Sequence, residues 1–341
     1  MKCCVIGSGR WGKNHTRTFN ELGTLSAIID SNEDTLASLS KQYPHIQTYS
    51  SLSSPGALDF DAYTVAVPAE HHFSVAKRLL EHKKHVLVEK PITLNSEDAE
   101  QLCALAKKNN CILMTGHLLL FHPAILKIKE LIDSDKIGKI QYIYSNRLNL
   151  GTVRKEENSL WSFAPHDISI FKFFTNSNPT DINSSGGAFL QPHIHDTTMT
   201  TLTYPDNIVG HIFVSWLHPF KEHRLVVIGS KGMLSYEDSS QSKELLFYEK
   251  GIDWVNGEPI KRDGPTETIP YEPGAPLQLE LQHFIDCIEG KAKNTLINGE
   301  NGVDVLHVLE QAEASLHTTP SDLIKKKTLM PHSSSPTPVS I

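Results

Sequence analysis

Cys3-Cys4-Val5-Ile6-Gly7-Ser8-Gly9-Arg10-Trp11-Gly12 is the stretch on which the fold turns. Four apolar residues run into a glycine-rich turn, and residues 11–22 then carry a helical pattern. A lone G-x-G-x-x-G says little. One that closes a strand and opens a helix has the setting a dinucleotide needs. Gly7 permits the tight turn, Gly9 lets backbone approach a pyrophosphate, and Gly12 lets helix and strand pack closely. The helix N-terminus offers unpaired N–H groups and a partial positive charge. The next apolar run, 25–30, ends in Asp30, where a carboxylate can accept from both adenosine ribose hydroxyls. It would repel a 2′-phosphate, and Ser31 and Asn32 supply no arginine to hold one. The sequence therefore predicts NAD rather than NADP.

The same alternation continues outward. Strands are expected at 62–67, 85–88 and 112–115, and helices at 35–43, 73–81 and 96–109, the last capped by Ser96. The 85–88 strand runs into Glu89-Lys90-Pro91, which sets a lysine at a strand end facing the cofactor. Strands alternating with helices predict a doubly wound parallel sheet, the Rossmann arrangement, over residues 1–120. Beyond it the pattern changes. A helix at 123–134 and a buried helix at 161–174 accompany β runs at 140–150, 197–204, 208–217, 225–228, 233–236 and 245–248. Helices at 277–289 and 302–316 follow. Strands without intervening helices predict an α+β domain with a large, mostly antiparallel open sheet over 121–330. Residues 331–341 lack apolar density and read as a flexible tail.

The 341 residues carry a formal charge of −7, with 39% hydrophobic and 21% charged residues, as in an ordinary globular enzyme. That acidity argues against nucleic-acid binding, and no run of about eighteen apolar residues could span a bilayer. The first strand begins so early that no signal peptide is expected. Cys3, Cys4, Cys103, Cys111 and Cys287 show no regular spacing and read as reduced thiols of a cytoplasmic protein.

Taken together, Gly7–Gly12, Val67-Pro68 with His72, Glu89-Lys90-Pro91, His117 with Phe121-His122-Pro123, His166, and Gly229-Ser230-Lys231-Gly232 resemble the Gfo/Idh/MocA family of sugar oxidoreductases. The resemblance covers nearly all of the chain except the tail. It implies a Rossmann domain followed by an α+β domain whose sheet carries substrate residues and makes a homodimer or homotetramer. It implies a catalytic pair, Lys90 and His166. It also implies a cofactor shell of Gly7, Ser8, Gly9, Arg10, Trp11, Gly12, Asp30, Ser31, Pro68, His72, Glu89, Lys90 and His117. Three positions depart from the common pattern: Ser162 and Ser169 stand where many members have aspartates, and Leu120 where many have arginine. The runs 146–151, 157–167 and 215–221 resemble a narrower branch, nucleotide-sugar 3-dehydrogenases acting on UDP-N-acetylglucosamine or its uronic acid. That likeness implies a 3-keto product passed to an aminotransferase making 3-amino sugars for lipid A or surface polysaccharide. Substrate contacts would then come from Lys90, Asn146, Arg147, Asn149, Trp161, His166, Asp167 and His193.

The chemistry is consistent with those residues. Oxidising a secondary alcohol needs a proton acceptor and something to stabilise the developing alkoxide, with the carbon held at the nicotinamide. Lys90 and His166 can fill those two roles in either order. Pro165 before His166 and Asp167 after it suggest a helix start. On a strand, His193 and His195 would face one side and suit two metal ligands, but no third ligand is evident and no metal is expected. Arg147, Arg154, Lys155, Lys221 and Arg224 are candidates for a diphosphate or a uronate. Two rivals remain: a dehydrogenase of a free polyol or sugar phosphate, and a catalytically silent NAD-sensing regulator.

Overall fold

The computed structural model describes residues 1–317, and two sheets organise them. The first part runs β1 (Cys3–Ile6), α1 (Gly12–Glu21), β2 (Leu25–Ile29), α2 (Glu33–Gln42), β3 (Gln47–Tyr49), β4 (Ala62–Val65), α3 (His72–Glu81), β5 (His85–Glu89), α4 (Ser96–Lys108) and β6 (Leu113–Gly116). All six strands pair in parallel in the order β3-β2-β1-β4-β5-β6. The chain order reverses between β1 and β4, so a crevice opens beyond their carboxyl ends. Strands β1, β4 and most of β5 are buried on both faces, as the unbroken apolar runs required. Strand β3, with the sequence Gln-Thr-Tyr, is too short and polar to show in a periodicity.

The cap of α4 differs from expectation. Asn95, not Ser96, is the N-cap, and its side chain accepts from the Asp98 amide. Ser96 instead donates through both its amide and its hydroxyl to Glu310, each at 2.7 Å. Either residue type can cap; the distant carboxylate decides.

The second part runs α5 (Pro123–Asp133), β7 (Ile140–Leu148), α6 (Ser159–Thr175), β8 (Asp181–Gly187), β9 (Thr197–Thr203), β10 (Val209–Ser215), β11 (Glu222–Gly229), β12 (Met233–Glu237), β13 (Leu245–Val255), β14 (Glu258–Ile269), α7 (Pro276–Ile288) and α8 (Gly299–Leu316). Its eight strands are ordered β14-β13-β12-β11-β7-β10-β9-β8, antiparallel except for β7 with β10. One face is buried beneath α6 and α8. A Cβ at Gly210 would come within 2.8 Å of Phe171, so only glycine lets α6 approach there. The other face leaves Tyr142, Tyr144, Met199 and Phe213 partly exposed around a groove of about 340 Å³.

Two readings need correction here. Pro165 and His166 lie in the middle of α6, whose start is capped by Asn158 accepting from the Trp161 amide. His193 and His195 lie between β8 and β9, not on a strand, and His193 has φ of 66°. Strands β8 and β14 were hidden by their glycine, proline and polar content. The final helices cross back to the first part: α7 packs on α1 and α8 packs on α4 and β6. The expected tail at 331–341 lies outside the described residues.

Candidate active site

At the crevice, Gly7 has φ of +85° and its amide donates to Ile29 O at 2.8 Å. A Cβ at Gly12 would sit 1.8 Å from Gly7 O, so the loop closes only with glycine there. Gly9 is different: a Cβ there would meet nothing, because the position faces open space. Asp30 is held by the Ser8 amide at 2.6 Å and the Asn32 amide at 2.9 Å, which fixes its carboxylate at the edge of the crevice. Gly7, Gly9, Asp30, Ser31 and Pro68 line one cleft of about 610 Å³. An open glycine over a helix N-terminus, beside a fixed carboxylate, fits a dinucleotide. Gly9 and the first turn of α1 would hold the pyrophosphate, and Asp30 the ribose.

Arg78 also lines this cleft, donating to Ser53 Oγ at 3.0 Å and Leu52 O at 3.2 Å. Sequence reasoning missed it, although Ser74 and Arg78 share a helix face by spacing. His72 does not line the cleft. Its ring is buried between Pro91 O at 2.7 Å and Val67 O at 2.9 Å, so it ties the two strand-end loops together. Burial lowers its pKa even though both carbonyls favour the proton.

Glu89 ends β5 as a buried anchor. It accepts from Trp11 Nε1 and, at 2.6 Å, pairs with His15 Nε2. Burial opposes its charge, but His15, Trp11 and Lys90 together hold the carboxyl below its usual range. Trp11, at the N-cap of α1, and His15 in its first turn are four apart and so share a face by spacing. The next residue, Lys90, joined to Pro91 by a cis peptide bond, reaches into the second part, where Nζ donates to Ser162 O at 3.0 Å. Ser162 lies one helical turn before His166. Pro165 lacks the N–H that would meet Trp161 O, so that carbonyl is left without its helical donor.

Lys90, His117 and His166 form one electrostatic group. Burial pulls the Lys90 ammonium below its usual value, opposed by Glu157 and Glu89 and reinforced by Arg154 and Arg147. Burial and then Lys90 push His117 down to about 4. His166 is pushed well below the ordinary imidazole value by burial, then by Lys90, Arg147, His117 and His223. Beside it Arg147 Nε donates to Asp167 at 2.6 Å, an ion pair removed from solvent, while burial raises the Asp167 carboxyl against Arg147's pull. His223, unremarked in the sequence, sits near Arg147 at a pKa of about 4, set first by burial.

The other expected substrate residues lie elsewhere or are already engaged. Asn146 donates to Glu222 at 2.8 Å. The amide of Asn149 donates to Ser215 O at 3.1 Å. The Trp161 indole turns away to Glu313 at 2.6 Å, and His193 is exposed in its loop. Among the described residues no group of three or more His, Cys, Asp or Glu side chains could hold a metal, and no helix is long and apolar enough to cross a membrane.

A parallel nucleotide-type sheet whose strand-end lysine reaches the His166 helix of a second, open-sheet domain defines a nicotinamide-dependent oxidoreductase. Comparison with known proteins makes the assignment specific. Residues 1–117 match the oxidoreductase family model with an NAD-binding Rossmann fold, and residues 125–235 match the GFO/IDH/MocA C-terminal domain. The chain belongs to the GFO/IDH/MocA family. It is 24% identical to UDP-N-acetylglucosamine 3-dehydrogenase of Acidithiobacillus ferrooxidans over 84% of this chain and 88% of that protein. The solved structure of that enzyme superposes with a TM-score of 0.81 at 23% identity, covering 93% of this chain and 97% of that one. The WlbA dehydrogenase of Bordetella pertussis, solved with NADH and UDP-GlcNAcA, superposes with a TM-score of 0.74 at 18% identity over 92% of this chain and 96% of that one. The chain is also 23% identical to scyllo-inositol 2-dehydrogenase (NAD(+)) of Bacillus subtilis over 84% of this chain and 86% of that protein.

Proposed function

We propose that the chain oxidises the C3 hydroxyl of a UDP-linked N-acetyl hexose or hexuronate, UDP-GlcNAc or UDP-GlcNAcA, to the 3-keto sugar. NAD, when bound, supplies the hydride acceptor. The observation that supports the reaction type is the Lys90–Ser162 contact, which brings the ammonium to the helical turn that precedes His166. Lys90 donates to the reacting oxygen and stabilises its developing charge. His166, held neutral by burial and then by its cationic surroundings, takes the hydroxyl proton. Arg147 is oriented by Asp167 and the charge of Arg154 acts on Lys90; with Lys155 they are basic groups suited to a diphosphate. Support for a nucleotide sugar comes from the likeness to the Acidithiobacillus and Bordetella enzymes along almost the whole chain. The product would feed an aminotransferase making 3-amino sugars for lipid A or surface polysaccharide, in the cytoplasm. The exposed face of the second sheet, with Tyr142, Tyr144, Met199 and Phe213, would form the homodimer or homotetramer contact, which light scattering of the purified chain would check.

The inositol dehydrogenase relative supports a second reading, oxidation of a free polyol. NADH absorbance across UDP-GlcNAc, UDP-GlcNAcA, myo- and scyllo-inositol and glucose separates the two. Turnover of the UDP sugars, with a 3-amino sugar formed once an aminotransferase and glutamate are added, is the expected result. Turnover of inositol or glucose alone would overturn it.

A further inference from the structure

The cofactor cleft continues past Asp30 to a wall that the hydride-transfer chemistry does not use. There Leu52, on the loop after β3, and Val75 and Arg78, one turn apart on α3, border the same space. A ribose carries its base and its 5′-phosphate at opposite ends. With the ribose at Asp30 and the pyrophosphate at Gly9 and the start of α1, the adenine base is directed toward this wall. Among the described residues that line the cleft, Arg78 is the only basic side chain.

Arg78 crosses from α3 to the loop after β3, where Nη1 donates to Ser53 Oγ at 3.0 Å and Nη2 to Leu52 O at 3.2 Å. A guanidinium donates in its own plane, so two such bonds fix that plane and leave its faces free. Both acceptors are neutral oxygens, so neither cancels the charge. The side chain is half-buried and already held, so little rotamer freedom is left to lose when a ligand arrives. A fixed flat cation beside leucine and valine suits a neutral aromatic ring, which takes the guanidinium on its π face and apolar carbon around it. It suits a 2′-phosphate poorly. A phosphate needs the donor fork turned toward it, and here both terminal nitrogens are engaged by the loop while the Asp30 carboxylate lines the same cleft. We propose that Arg78 is a specificity-determining residue for the cofactor: its guanidinium plane stacks on the adenine of NAD and closes the adenosine end of the cleft. The proposal rests on the cofactor cleft and is independent of which sugar is oxidised.

The test is calorimetric binding to the full chain with no sugar present. Arg78→Ala should weaken NADH binding about tenfold. ADP-ribose, which carries the adenosine half and no nicotinamide, should lose the same factor. Arg78→Lys keeps the charge but not the plane, so it should lose about as much as Arg78→Ala. Ser53→Ala removes one of the two bonds that hold the guanidinium and keeps its plane, so NADH affinity should stay within about threefold. Full NADH affinity in Arg78→Ala, or a loss seen with NADH but not with ADP-ribose, would overturn the proposal. Affinity restored by Arg78→Lys would show a plain charge contact, and a larger loss for NADPH than for NADH would show a 2′-phosphate site; either result overturns the stacked base. Equal losses of Tm and of NADH affinity in Arg78→Ala and Ser53→Ala would make Arg78 a brace for the loop and nothing more. If the wild-type chain turns over none of the sugars offered, the reaction reading fails, while these affinities still decide the role of Arg78.

Discussion

Burial pushes Lys90 and His166 each toward their neutral forms and Lys90 pushes His166 further, so near neutral pH the pair holds at most one proton. The lysine keeps it, because an imidazolium would stand among Lys90, Arg147 and two histidines. This division of charge can be tested. The neutral imidazole of His166 is present at every pH above its depressed value, so kcat should show no acid limb near 6.5. The Lys90 ammonium is present below its own depressed value, so kcat should fall as pH rises through it, before the ordinary lysine value of 10.5. A rate that instead climbs over that alkaline range would make Lys90 the base. Lys90→Ala should lower kcat by about a thousandfold while NADH affinity changes by less than about threefold. Unchanged turnover in a sugar assay would exclude Lys90 from the mechanism, and lost NADH binding would mark it as a cofactor ligand.

At the scale of elements, the glycine loop separates folding from binding. Gly12→Ala would drive a methyl group into Gly7 O and should cost about 3 kcal/mol of stability. Gly9→Ala meets no protein atom, so Tm should move by less than about 2 °C. The same methyl group would stand where a pyrophosphate approaches, and NADH affinity should drop at least about tenfold. Equal NADH binding in Gly9→Ala and wild type would mean the cofactor lies elsewhere. This loop was legible because strand, turn, helix and acid follow one another within thirty residues. The Lys90 end of β5 was legible for the same reason. What escaped was set by tertiary partners. Pro165 reads as a helix start, yet Asn158 caps α6 seven residues earlier and the packed sheet carries the helix through the proline. Ser96 was an acceptable cap until Glu310 claimed it. His72 looked like a cofactor contact, but two backbone carbonyls take both its nitrogens. His223 sits beside Arg147 only through strand pairing that no local spacing records.

Across the molecule, the reaction needs two domains held in register, because Lys90 belongs to one and His166 to the other. Helix α8 supplies that register. Glu310 holds the start of α4 in the first part, and Glu313, one turn further on, holds the Asn158 cap and the Trp161 indole of α6 in the second. Asp304 pairs with Lys172 farther along the same α6 helix. Three acids on one helix thus fix the helix that carries His166 relative to the domain that carries Lys90. A displacement of about 1 Å at reacting groups can cost about a hundredfold in rate. Glu313→Ala removes two hydrogen bonds to a carboxylate and should destabilise the chain by about 2 kcal/mol. The informative readout is catalytic. NADH affinity should be unchanged, since the glycine loop and Asp30 are untouched, while kcat should fall between about tenfold and a hundredfold. If kcat survives intact while Tm drops, α8 is structural only and the alignment of lysine and histidine is set elsewhere. A parallel loss of NADH affinity would instead mean that α8 also shapes the first domain.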